Sequence, residues 1–283
     1  MDGKRSFLRW QNFKRKAVTL SYDDGPKFDE TLIEILNRYG LKCTFNLNSG
    51  YIPDKEGEWR MSKAKIQALI ANSAHEIAVH GVRHLSLSRV NEAMAIEDII
   101  NDRKNLENAF ERIVKGLAYA NGSFDDEVVE LLKKCGISYA RTVVPTNGFD
   151  LPKDFLEWNP TCHHGVANLM ALAKEFVETE DHPWNFWSNN PMLFYLWGHS
   201  YEFDGGNNWK IIEEFAKFMG GREDIWYATN GEIYEYVRAY DRLDFSADGG
   251  YIHNPSAIDI YLCYFKKNYV IPAGKTVKVD ASY

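Results

Sequence analysis

Asp23 and Asp24 stand side by side where the apolar run 17–22 stops, in the order Asp-Asp-Gly-Pro. Adjacent carboxylates beside an apolar strand cost free energy unless something compensates them. Gly25 and Pro26 break the strand at once, so both acids reach the same loop. His80 and His84 come next, four residues apart in His-Gly-Val-Arg-His. On a helical turn that spacing puts both imidazoles on one face, able to hold one metal ion. Two histidines and one of the two carboxylates leave a coordination position open, which is the catalytic rather than the structural zinc pattern. A zinc ion lowers the pKa of water to about 7 and polarises a carbonyl, so amide or ester hydrolysis becomes feasible. The second carboxylate is then free to act as general base, and His199, ending the run 192–199, is placed to protonate a leaving group. Each feature has a plainer reading: a turn with a helix N-cap, two surface histidines, a hydrogen-bonded histidine. Their shared position at strand ends favours the chemical one.

Such residues need a scaffold that brings strand ends together. Short apolar runs at 17–22, 43–48, 75–80, 117–121, 138–144, 192–199 and 225–230 alternate with stretches of helical period. About seven βα units in series imply parallel strands wrapped by helices, and the continuous apolar strands imply burial on both faces. The pattern predicts an α/β fold, an irregular (β/α)7 TIM-like barrel over residues 17–243, whose active site lies in the loops after the strands. Beyond residue 244 the helical period is lost, and 244–283 reads as a short C-terminal β appendage packed on the barrel. Residues 1–16 hold six basic residues and one acidic residue, and read as a solvated leader. They contain no apolar stretch with a cleavage site, so as written the chain reads as cytoplasmic. An extracytoplasmic location stays open if a leader was trimmed.

The chain has 283 residues with a net charge of −7, which argues against a nucleic-acid partner. No apolar stretch is long enough for a membrane span. Four cysteines without a CxxC pair indicate neither a zinc ribbon nor a disulfide scaffold.

Together these residues resemble the polysaccharide deacetylases, carbohydrate esterase family four, with its nodulation-factor deacetylase homology domain. Thr19-Leu-Ser-Tyr-Asp-Asp-Gly-Pro26 is similar to the family's T-F-D-D-G-P segment. His80-Gly-Val-Arg-His84 is similar to its H-x-x-x-H segment, and Leu196-Trp-Gly-His199 to its late leucine-x-histidine segment. The phrase from Phe194 to Asp204 points to a bacterial branch. The resemblance implies Asp23 as catalytic base, Asp24, His80 and His84 as metal ligands, and His199 as general acid. It implies a divalent metal, zinc before cobalt or nickel, and an acetylated carbohydrate as substrate. The aromatic residues in or near these motifs, Tyr22, Tyr119, Trp158 and Trp197, are expected to line the substrate pocket.

The departures define what the structure must answer. The family's R-P-P-Y-G-like segment reads Ala118-Tyr-Ala-Asn-Gly122 here, so the arginine that orients the base is missing. Asn121 is expected to offer its backbone N–H to an oxyanion. Arg141, in the next strand, is expected to replace the lost guanidinium in space. No acidic residue clearly supports His199. Glu157-Trp158 is a weak candidate, and Cys162-His163-His164 reads as second-site ligands, a substitute partner, or two loop histidines beside a buried thiol. The rings of 183–187, Pro-Trp-Asn-Phe-Trp, read equally as a sugar-stacking lid or as packing. The expected activity is removal of N- or O-acetyl groups from a carbohydrate. A non-catalytic sugar-binding barrel and a hydrolase of another C–N bond remain as rivals.

Overall fold

The computed structural model describes residues 5–71, 73–182 and 189–281; the rings at 183–187 lie outside the described residues. In chain order the elements as far as α8 are β1 (Leu8–Arg9), β2 (Lys16–Asp23), α1 (Asp29–Arg38), β3 (Cys43–Leu47), α2 (Lys63–Ala71), β4 (Glu76–Val79), α3 (Glu92–Phe110), β5 (Gly116–Ala118), α4 (Asp126–Lys134), β6 (Tyr139–Arg141), β7 (Cys162–His163), α5 (Leu169–Glu178), β8 (Met192–Gly198), α6 (Ser200–Gly205), α7 (Lys210–Met219), β9 (Ile225–Tyr227) and α8 (Asn230–Asp241), and all but β1 belong to the barrel. Local sequence explains their limits. In α1, Leu32, Ile33, Ile35 and Leu36 are buried, and Gly40 follows with a left-handed φ of 69°. Helix α4 opens on Asp126 and Glu127 and closes on Lys133 and Lys134, matching the helix dipole. A reciprocal capping box of Thr229 and Glu232 starts α8.

The parallel strands run in the order β6-β5-β4-β3-β2-β8-β7. Strand β2 is buried throughout and pairs with β8 from Lys16 to Tyr22. Its other edge is shared, by β9 at Lys16–Val18 and by β3 at Leu20–Asp23. The sheet curls until only the gap between β6 and β7 is left. There Trp158 bridges Arg141, and Cys162 and His163 pair with β8. This is the irregular seven-strand (β/α) barrel that the alternating pattern predicts.

Alternation along β2 decides what fills the barrel. Side chains next to each other on a strand face opposite ways. Val18, Leu20 and Tyr22 join the large apolar cluster shared with α1 and α7. Thr19, Ser21 and Asp23 belong to the opposite set, and all three are buried polar residues. The interior is accordingly hydrogen-bonded. Thr19 Oγ1 donates to Asn230 Oδ1 at 2.8 Å, Asn230 also bonds the Tyr195 hydroxyl, and that hydroxyl meets Ser21.

The remaining strands are β10 (Asp244–Phe245), β11 (Tyr251–His253), β12 (Ile260–Tyr264), β13 (Lys267–Ile271) and β14 (Thr276–Lys278). They form two small antiparallel sheets, β1-β12-β13 and β10-β11-β14. Ile260, Leu262 and Ile271 share a core with Leu193, Tyr195 and Val237 of the barrel. The expectation of a solvated leader is corrected for residues 8–10. Leu8 and Trp10 are fully buried, β1 pairs with β12, and the Trp10 indole donates to Met192 O. The basic count hides two apolar side chains that fit the core.

Candidate active site

Asp23 ends β2 with its carboxylate inside the barrel, 2% exposed. Asn46, the inward residue of β3, donates to Asp23 Oδ1 at 2.8 Å and to Ser21 Oγ at 2.7 Å. Arg141 donates to Asp23 Oδ2. Burial pushes the carboxyl pKa up, but Arg141, His80, His199 and the Asn46 hydrogen bond outweigh it, and the group sits below its ordinary value. In the ring of strands Arg141 stands on the wall opposite β2, and its register partner on β5 is Ala118. The guanidinium thus occupies the place next to the motif position that lacks one. Its carbon lies 4.3 Å from the centre of the Trp197 ring, so the cation is sandwiched between an acid and an aromatic face.

Asp24 Oδ1 lies 3.5 Å from His80 Nε2 and 3.5 Å from His84 Nε2. Donors bound at zinc distances on a tetrahedron stand about 3.4 Å apart, so the three fit one ion. Tautomer chemistry agrees. His80 Nδ1 is 2.9 Å from Ala118 O, a carbonyl that only accepts, so Nδ1 carries the proton. Nε2 is buried without a hydrogen-bond partner, the state a ligand nitrogen needs.

The expectation of a helical turn for His80 and His84 is corrected. Gly81 has φ 83° and His84 φ 54°, so the loop doubles back and brings the rings to 4.7 Å. Helix α3 holds it there. Fully buried Asp102 accepts backbone N–H groups of Ser49, His80 and Gly81 at 2.7, 3.0 and 2.9 Å. Asp98 takes the Arg83 side chain and backbone N–H, while Asn48 donates to His80 O and Gly81 O.

His199 precedes α6. Its Nε2 is 3.9 Å from Asp23 Oδ2, and its Nδ1 is 3.1 Å from Glu202 Oε1. Burial lowers the imidazole pKa, but the Glu202 hydrogen bond and Asp23 more than reverse this and leave it raised. Glu202 Oε2 also meets His163 Nε2 at 3.1 Å and His164 Nε2 at 2.9 Å. Burial raises the Glu202 pKa, and the hydrogen bonds from the three histidines pull it well below the carboxylate range. His163, His199 and Glu202 lie close enough to hold an ion. However, His163 Nδ1 accepts the Gly165 N–H at 3.0 Å, so its proton is on Nε2 and points at Glu202. The cluster is therefore a hydrogen-bonded clamp on a carboxylate. Glu202, and not Cys162-His163-His164, is the partner of His199; His163 and His164 hold Glu202 from its other oxygen.

The structure does not place every expected pocket residue at the mouth. Tyr22 faces the helices because Asp23, its neighbour on the strand, faces in, and its ring stacks on His164. Tyr119 is buried with its hydroxyl on Leu156 O, and buried Trp158 packs on Tyr195 and Phe155. These three are core residues, whereas Trp197 is partly exposed. Glu157 leads into this core segment, and the acid beside His199 is Glu202 instead. Asn121 lies in the turn after β5 with φ 57°, tied through Nδ2 to Ser86 Oγ at 3.0 Å. Sequence reasoning missed Asn46, Asn48, Asp98, Asp102 and Glu202. Their signals were legible: asparagines ending the second apolar run, two acids on the apolar stripe of a helix, and an acid three residues after His199.

The polysaccharide deacetylase family model matches residues 11–140. The poly-beta-1,6-N-acetyl-D-glucosamine N-deacetylase of Staphylococcus aureus is 25% identical over 161 residues, which cover 50% of this chain and 54% of that protein. The chain thus spans about half the length of the curated relatives it matches. Two solved structures share the fold. A candidate polysaccharide deacetylase from Mycobacterium smegmatis has a TM-score of 0.62 at 18% identity, covering 83% of this chain and 94% of its own. A family 4 carbohydrate esterase from Streptomyces lividans, in complex with acetate, has a TM-score of 0.50 at 14% identity, covering 75% and 92%. A family 4 pseudoenzyme from Bacillus anthracis also matches, with a TM-score of 0.50 at 15% identity, covering 81% and 68%. The chain is thus similar to the polysaccharide deacetylases over residues 11–140 and shares the barrel fold of their solved structures.

Proposed function

We propose that the chain is a metal-dependent hydrolase that removes N- or O-acetyl groups from a carbohydrate. The observation that carries this reading is the convergence on Asp23: a buried, ionised carboxylate held by Arg141 and Asn46, beside a three-donor metal set and facing His199. Asp24, His80 and His84 would hold the ion, zinc by their donor types. When bound, it supplies Lewis acidity to the acyl oxygen and to the attacking water.

The chain's own residues do the rest. Arg141 keeps Asp23 anionic and aimed into the mouth, so that its carboxylate takes the proton of a water attacking the acetyl carbon. Glu202 accepts from His199 Nδ1, which points Nε2 toward the reaction and favours the protonated ring. His199 Nε2 then gives its proton to the departing nitrogen or oxygen, and acetate is released. The Asn121 backbone N–H is the donor assigned to the developing oxyanion, and Trp197 the ring assigned to the pocket wall.

The test is acetate release from a panel of acetylated sugars, before and after treatment with a chelator and after restoring zinc. Chelator-sensitive release restored by metal supports the reading. No release from any sugar by zinc-loaded protein, with acetylated oligosaccharide still bound, would favour the non-catalytic rival.

A further inference from the structure

The connection between β3 and α2 rises beside the candidate site and carries two exposed rings, Trp59 at 62% and Tyr51 at 45%. Single exposed aromatics need no explanation. These two are tied to the loops that bear the metal ligands. Lys27 N donates to Trp59 O at 2.9 Å, and Pro26, two residues after Asp24, bridges Arg60. The Tyr51 hydroxyl donates to Arg83 O at 3.1 Å, one residue before His84. Both rings are braced. Phe28 meets Trp59 edge-on, with centroids 5.9 Å apart and planes at 83°, and the Arg60 guanidinium carbon lies 5.5 Å from the centre of Tyr51. The Tyr201 ring lies 5.1 Å from that of His199. Trp59 and Tyr51 therefore stand on a connection joined to both loops that bear the candidate metal ligands.

We propose that Trp59 and Tyr51 form a platform for pyranose rings that flank the sugar being deacetylated. This rests on the carbohydrate reading of the site and adds a binding subsite to it. A pyranose presents weakly positive C–H bonds on its face, and an aromatic ring presents its negative face to them. The sugar's hydroxyl edge stays in water or meets the Arg60 donors. Rings braced before binding lose little freedom on engagement, so the contact favours longer oligosaccharides over short ones.

The probes are N-acetylglucosamine oligomers of two and five units in β-1,4 and β-1,6 linkage, with p-nitrophenyl acetate as a substrate that has no sugar. Trp59→Ala is expected to lower kcat/KM on a pentamer about tenfold. Hydrolysis of p-nitrophenyl acetate should be unchanged, and Trp59→Phe should recover most of the loss. An unchanged ratio of pentamer to p-nitrophenyl acetate activity in Trp59→Ala overturns the platform. Calorimetric binding of the pentamers separates this inference from the reading beneath it. Trp59-dependent binding without wild-type turnover retires the deacetylase and leaves the platform standing. Wild-type protein that binds no pentamer, or a Trp59→Ala variant that binds as well as wild type, overturns the platform whatever the turnover. A Trp59→Ala effect confined to self-association assigns the rim to a second copy and also overturns it.

Discussion

A guanidinium and a carboxylate that have both left water form a pair whose breaking matters more than its making. Arg141 and Asp23 are such a pair, with side chains 0% and 3% exposed. Arg141→Ala would strand a buried anion and is expected to cost about 3–5 kcal/mol in denaturant unfolding. It is also expected to lower turnover by at least tenfold while metal content stays normal. Arg141→Lys should recover little, because an ammonium cannot both lie flat on Trp197 and fork toward Asp23. At the acid side, Glu202→Gln removes the charge that keeps His199 protonated. The basic limb of the pH–rate profile should then move to lower pH, and NMR titration of the His199 ring should show the same direction. Full activity with an unmoved limb would remove Glu202 from the mechanism.

Among the elements, α3 shapes the ligand loop without touching the reaction. Asp102 satisfies three backbone donors at once, and an amide oxygen in its place keeps less acceptor strength. Asp102→Asn is expected to weaken zinc binding about 10–100-fold in competition with a chromophoric chelator, with the fold retained. Gly81→Ala should fail more severely, since a Cβ there would stand 2.4 Å from Asp98 Oδ2 at a φ of 83°. Helices α1 and α6 meet where Ser200 Oγ donates to Asp29 Oδ1 at 2.6 Å. Burial pushes the Asp29 pKa up to about 8. A folded-state value above the unfolded one of about 3.9 stabilises the fold fully only below that lower value. The contribution fades as pH rises toward 8. Asp29→Asn keeps the acceptor and removes the titration, so thermal unfolding should show it gaining on wild type between pH 4 and 8.

For the molecule as a whole, the ring of strands was readable because each strand is a continuous apolar run bounded by turn residues. What escaped were parts defined by distant partners. Strand β1 has two residues and exists because β12 lies beside it. Asp98 and Asp102 sit on the apolar stripe of α3, and what they serve shows only once the loop that needs them is folded against that helix. His80 and His84 were found through a helical spacing that the backbone does not adopt, since the same two side chains meet across a left-handed fold-back. Arg141 was legible from strand order alone, because neighbouring strands end at one mouth. The N-terminal arm gives the test at this scale. Trp10 packs on Trp226 and Tyr236, and Trp10→Ala is expected to cost about 3–5 kcal/mol, read as a lowered melting temperature of the whole chain.

The uneven closure of the barrel gives the two sides of the site different rhythms. Asp23 and His199 stand at the ends of β2 and β8, which are paired from Lys16 to Tyr22 and open only with the fold. The carboxylate behind His199 is gripped by His163 and His164, on the short segment that closes the ring through Trp158, Cys162 and His163. Its amides should exchange with deuterated water well before those of β2 and β8. Proton donation then rests on a support joined to the ring by two residues along one edge, while the base across from it is held by strands on both sides.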